Sequence, residues 1–73
     1  MSRITYGNYG LNGEALVRSL KPGDIVTVRW PNGRRSRGRA EMRFRDQWFC
    51  RPSLFSSFPV TPDNIVSISR RLS

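Results

Sequence analysis

"RGRAEMRFRDQWFCR", residues 37–51, alternates in a way that suits an extended chain. Gly38, Ala40, Met42 and Phe44 fall on one side of a strand, and Arg37, Arg39, Glu41, Arg43 and Arg45 on the other. This period-two pattern describes a strand with one buried and one wet face, so the fold around it is expected to be β. Asp46 begins a tight reversal, and "QWFCR" (47–51) returns as the partner strand of a hairpin.

The register of that reversal decides which aromatic is buried. With residues 45 and 46 as a two-residue loop, Phe44 faces Gln47 and Met42 faces Phe49. Phe49 is then in the core, and Trp48 sits beside Arg43 on the wet face. A three-residue loop instead pairs Phe44 with Trp48 and Met42 with Cys50, burying both and exposing Phe49. The segment lacks the Gly that favours the longer loop. An outward Trp48 suits stacking on single strands or distorted duplexes, whereas a buried one leaves an arginine surface suited to duplex backbone.

Working outward, "DIVTVRW" (24–30) is rich in β-branched residues and ends at the turn "PNG" (31–33). Downstream, "PSLFSS" (52–57) reads as a loop, "FPV" (58–60) as a short strand, "TPDN" (61–64) as a turn and "IVSIS" (65–69) as a last strand. Within "SLFSSF" (53–58), Leu54 or Phe55 is expected to fold over one end of the sheet as a lid. Upstream, Asn12 is placed to cap a helix over 12–21, with Glu14 in its first turn and Leu11, Leu16, Val17 and Leu20 as its apolar stripe. Pro22 and Gly23 stop it. Residues 1–10 read as an arm or an edge strand, and 70–73 as a frayed tail.

Five short strands at regular spacing, with short turns, describe a small closed barrel. Over residues 21–69 this order resembles an SH3-like barrel, carried by "LKPGDIVTVRW", the hairpin 37–51 and "FPVTPDNIVSI". The expected architecture is therefore all-β, a five-stranded SH3-like barrel over 23–69 preceded by one short helix. KOW and Tudor-like modules share that architecture, which hosts nucleic-acid and peptide binding often and catalysis rarely. The layout also resembles the type II plasmid dihydrofolate reductases, small SH3-like chains active as tetramers around a central pore. Their active-site strand reads Val-Gln-Ile-Tyr before a Pro-Val pair. Here Phe55, Ser56, Ser57 and Phe58 stand at those positions before Pro59-Val60, so the glutamine and the tyrosine hydroxyl are missing. That resemblance supports the fold and counts against the activity.

Composition narrows the function. A chain of 73 residues is expected to be one domain with a thin core. Cys50 is the single cysteine and there is no histidine, which excludes a Cys/His zinc site within one chain. Stability then has to come from a compact barrel, from homo-oligomerisation, or from both. The lone cysteine suits a reducing cytoplasm. No apolar run spans a membrane and the N-terminus is too polar for a signal peptide, so a cytoplasmic location is expected. Catalysis has little to use, since the carboxylates at Glu14, Asp24, Glu41, Asp46 and Asp63 are scattered. Cys50 has no activating base, and "PNGRRSRG" has no Walker spacing. No enzyme and no cofactor are expected.

The charge does point somewhere. Thirteen basic residues against five acidic ones give +8, with Lys21 the one lysine. Arg37, Arg39, Arg43 and Arg45 would form a row of about 25 to 30 Å along one strand, comparable with several successive phosphates. Arg34 and Arg35 extend it into the loop, and Arg29, Trp48 and Arg51 flank it. The expected partner is nucleic acid, DNA ahead of RNA, held by its phosphate backbone. The competing reading is a non-catalytic module or inhibitor that binds an acidic protein. A third is a charged sheet face kept wet to blunt edge pairing. Chains of this kind are common among phage and plasmid accessory proteins.

Overall fold

A computed structural model of the chain describes residues 2–10 and 12–71, with Phe44 by its backbone alone. The fold is mostly antiparallel β with one short helix. Its strands are β1 (Arg3–Gly7), β2 (Ile25–Arg29), β3 (Arg35–Arg43), β4 (Gln47–Ser53), β5 (Ser56–Pro59) and β6 (Ile65–Arg71). Helix α1 (Gly13–Ser19) lies between β1 and β2, and a 3₁₀ turn (Phe44–Asp46) joins β3 to β4. All six strands form one sheet in the order β1-β6-β2-β3-β4-β5. Two expectations are thereby corrected. There are six strands rather than five, because residues 3–7 pair with β6. The sheet is also open, with β1 and β5 at its edges, rather than closed into a barrel.

The core lies on one face of the coiled sheet. Val26, Val28, Ala40, Trp48, Cys50, Val60, Ile65 and Ile68 are buried there, and Leu16 and Leu20 close it from the helix side. Ile65 and Ile68 are three apart, so a regular strand would aim them at opposite faces. The pairing of β2 with β6 shifts between Thr27 and Val28: Thr27 faces Ser67, whereas Val28 faces Ile65. The extra residue is a β-bulge that returns both isoleucines to the core.

A second irregularity bends β4. Its pairing with β5 shifts between Cys50 and Ser53, around Pro52, which has no N–H for the ladder. At this corner β4 comes so close to β3 that a Cβ on Gly38 would overlap the backbone of Arg51 and Pro52. Gly38 is there because nothing larger fits. Gly13 is similar, since a Cβ there would overlap the carbonyl oxygen of Pro62.

Helix α1 is shorter than its sequence pattern. Asn12 stands at the N-cap but caps nothing with its side chain. Its Oδ1 accepts the Tyr9 N–H at 2.7 Å and its Nδ2 donates to the Gly7 carbonyl at 2.8 Å. Asn12 thus shapes the β1–α1 connection, and the helix depends on burying Leu16 and Leu20. Leu11 of the expected stripe lies outside the described residues.

The expected frayed tail is in fact structured through Arg71; residues 72 and 73 lie outside the described residues. Arg70 Nε and Nη2 donate to the two carboxylate oxygens of Asp24 at 3.0 and 2.8 Å, and Nη2 also donates to the Ser19 carbonyl at 2.6 Å. Asp24 Oδ2 accepts the Lys21 N–H as well. One arginine therefore ties β6 to the end of α1 and to the start of β2.

Candidate nucleic-acid interface

The register of the β3–β4 hairpin assigns the arginines. Arg39 faces Arg51, Ala40 faces Cys50, Glu41 faces Phe49, Met42 faces Trp48 and Arg43 faces Gln47. The loop has three residues, 44–46, rather than the two that the absence of glycine favours. Compared with the three-residue alternative, Met42 faces Trp48 instead of Cys50, two positions along, with the same face assignment. Trp48 and Cys50 are buried, at 7% and 0% exposure. Trp48 is therefore a core residue, and its place among the contact residues is corrected: no face of its ring is open for stacking. Met42, expected in the core, is 45% exposed, because β3 runs past the edge of the buried cluster there. The side chain of Phe44 lies outside the described residues.

On the opposite face, the odd-numbered residues of β2, β3 and β4 line up across the strands. Arg29 lies directly opposite Arg35, Thr27 opposite Arg37 and Ile25 opposite Arg39, and Arg39 lies in turn opposite Arg51. Arg43 sits at the far end of β3 with its guanidinium 5.0 Å from the Phe49 ring centre. Arg34 is in the loop before β3, its N–H donated to Asn32 Oδ1 at 2.9 Å. Arg45 is not on the row, because β3 ends at Arg43 and Arg45 occupies the turn at a left-handed φ of 62°.

Pairing at the far edge adds two residues that sequence reasoning did not assign to this surface. Arg3 of β1 lies opposite Arg71 of β6, on the same face as Ser69, Ile25 and Arg39. The alternation Ser67, Ser69, Arg71 is a signal for this, but only the strand order brings it beside the arginine row.

Acidic residues offset the face at one place. Glu41 accepts from Arg51 Nη1 at 3.2 Å and from Arg43 Nη2 at 3.5 Å. Arg29, Arg34, Arg35, Arg37 and Arg39 make no side-chain hydrogen bond or ion pair among the described residues. A groove of about 620 Å³ runs beside Arg37 and Arg39, its other walls formed by Ile25, Glu41, Arg51, Pro52 and Leu54.

Residues 53–58 do not form a lid. Phe55 is 97% exposed and Leu54 78%, because β4 continues to Ser53 and β5 starts at Ser56, leaving the two at the tip of a tight turn.

At the other end of β2, three clefts adjoin one another. The first, about 390 Å³, is lined by Val28, Arg29, Trp30, Pro31, Phe58, Pro59, Asp63 and Asn64. It shares Arg29 and Asp63 with a polar cleft of about 290 Å³ that also includes Arg35. It shares Trp30 with a cleft of about 380 Å³ that includes Arg34, Arg35 and Ser36. Trp30 and Phe58 meet edge to face, with ring centres 4.2 Å apart at 76°. The Trp30 indole N–H donates to Ser36 Oγ at 2.7 Å, which fixes the ring.

Three groups have displaced acidities, and all belong to the fold. Hydrogen bonding to Asp24 holds the Arg70 guanidinium above its ordinary value. Burial pushes the Asp24 carboxyl up, but the Arg70 hydrogen bonds, the Lys21 N–H and the nearby positive charges outweigh it and hold the group below its ordinary value. Burial pushes the Cys50 thiol up to about 11. Among the described residues no cluster of three potential metal ligands occurs, and no helix is long and apolar enough to cross a membrane. Comparison of the chain with protein-family models, with curated proteins and with solved structures finds no match.

Proposed function

We propose that the protein is a small, non-catalytic nucleic-acid-binding protein that holds the phosphate backbone, of DNA ahead of RNA, on the arginine face of β2, β3 and β4. One observation carries the reading. Arginine stands directly opposite arginine three times in the sheet, at Arg3 and Arg71, at Arg29 and Arg35, and at Arg39 and Arg51. Like charges directly opposite one another destabilise a sheet, and a fold gains nothing from accumulating them. A polyanion converts that cost into affinity through phosphate contacts and counterion release. A binding rather than catalytic role is supported by the absence of histidine from the chain and by the buried, hard-to-ionise thiol of Cys50. The order β6-β2-β3-β4-β5 returns the last strand beside the first of a meander, which supports an SH3-like arrangement left open at β5 and extended by β1.

The test is a titration of labelled single- and double-stranded DNA and RNA at two salt concentrations. Binding should weaken steeply with salt. The triple change Arg35→Ala, Arg37→Ala and Arg39→Ala should lower the salt slope by about 0.9 for each phosphate no longer neutralised. The melting temperature should hold or rise, because two facing like-charge pairs are removed. If no polymer binds below about 10 µM at low salt, where non-specific affinity is greatest, the reading is wrong.

A further inference from the structure

The arginine face explains attraction to phosphates but leaves the cleft at the end of β2 without a role. We propose that the corner between Trp30 and Phe58 takes an unpaired nucleobase, so that the preferred ligand is a single strand. This rests on the nucleic-acid reading above and adds to it a site for the base.

The cleft has the shape and stiffness that a base needs. Its walls are two aromatic rings set at 76°, flanked by Pro31 and Pro59. A flat heterocycle can lie along one ring while meeting the other edge-on, and base–aromatic stacking accepts any base because each has a π-face. The walls are also held before the ligand arrives, since Ser36 fixes the Trp30 indole.

The charge around the cleft is divided in a way that suits a nucleotide. Arg29 lines it, and Arg34 and Arg35 line the clefts that adjoin it, so phosphates on either side of a bound base would meet free guanidinium groups. Asp63 also lines it, and its carboxylate makes no hydrogen bond or ion pair among the described residues. A carboxylate repels phosphate but accepts hydrogen bonds from the N–H groups on a base edge. A site meant for phosphate alone would have no use for Asp63.

The location agrees with the proposed path of the backbone. Arg29 and Arg35 form one end of the arginine row, and Trp30 directly follows Arg29, just beyond the end of β2. Trp30 and Ser36 lie on the even-numbered face. A strand following the odd-numbered row of β3 would therefore turn past the end of β2 at Arg29, which lines the cleft, to place a base there. A duplex would have to unpair to do the same.

The experiment compares two ligands of equal length and charge at low salt: a short labelled oligothymidylate, and an abasic oligomer with the same number of phosphates. The unmodified protein should bind the oligothymidylate about tenfold or more tightly than the abasic chain. Trp30→Ala and the milder Phe58→Leu should bring oligothymidylate down to the abasic level without changing abasic binding. Equal affinity of the unmodified protein for both oligomers overturns the base site and leaves the arginine reading standing. Failure of both oligomers to bind overturns both proposals. A proline-rich peptide that binds and is lost in Phe58→Leu, while neither oligomer binds, would assign the cleft to peptide and also overturn the inference.

Discussion

Asp24 and Arg70 hold more of this fold than their positions in the chain suggest. The carboxylate is 4% exposed and takes both arms of one guanidinium at 3.0 and 2.8 Å. Because its acidity is strengthened in the folded state, the stability it contributes is fully present above the unfolded value of about 3.9 and is lost as pH falls through the folded value. Unfolding measured from pH 7 downward should therefore show an acid limb that flattens in Asp24→Asn. Arg70→Ala leaves that carboxylate buried without its ion-pair partner and should cost about 3 kcal/mol at neutral pH, measured by denaturant unfolding. An equal acid limb in both proteins would remove Asp24 as its source. This pair is invisible in the sequence: Asp24 opens a strand and Arg70 reads as part of a basic tail, and only the return of β6 beside β2 joins them. Gly38 is legible as an inward strand residue, but nothing local marks the approach of the Arg51–Pro52 backbone. Gly38→Ala should destabilise by about 1–3 kcal/mol, the usual cost of overpacking, and a neutral result would mean that β4 can move away.

At the level of elements, the β3–β4 hairpin is legible because its alternation is strict over nine residues. Its turn is not. The expected signal for a loop with left-handed residues is glycine, yet Arg45 and Asp46 take φ of 62° and 59°. The missing glycine favours a two-residue loop, which would turn Trp48 outward. The β4–β5 turn misleads for a different reason. Two apolar residues in a small protein invite burial, but a bulge at Pro52 carries β4 past the core and leaves Phe55 in solvent. Phe55→Ser should then change stability by no more than about 0.5 kcal/mol, which a melting curve can check. A loss of several times that would mean the ring packs on something in solution. The strand β1 cannot be distinguished from an arm by sequence, since its pairing partner lies at the other end of the chain.

For the whole molecule, +8 on 73 residues acts in two directions. In the free protein the facing arginines repel, so adding salt from a low starting concentration should raise the melting temperature by screening them. In the proposed complex with nucleic acid, the same addition should weaken attachment to phosphate. Opposite salt responses from one set of side chains separate this arrangement from an ordinary wet sheet face, for which neither response should be large. A melting temperature that falls with added sodium chloride would contradict the repulsion.

The order β1-β6-β2 also bears on when the protein can fold. The segment that joins β1 and α1 to the rest of the sheet is residues 65–71, the last of the six strands in chain order. A chain growing on the ribosome can form the hairpins of β2 to β5 early, but β1 has no neighbour until β6 emerges. Contacts between positions this far apart in sequence slow folding and postpone its completion until synthesis has passed residue 71. Until then β1 and the outer edge of β2 are without the neighbour that β6 supplies.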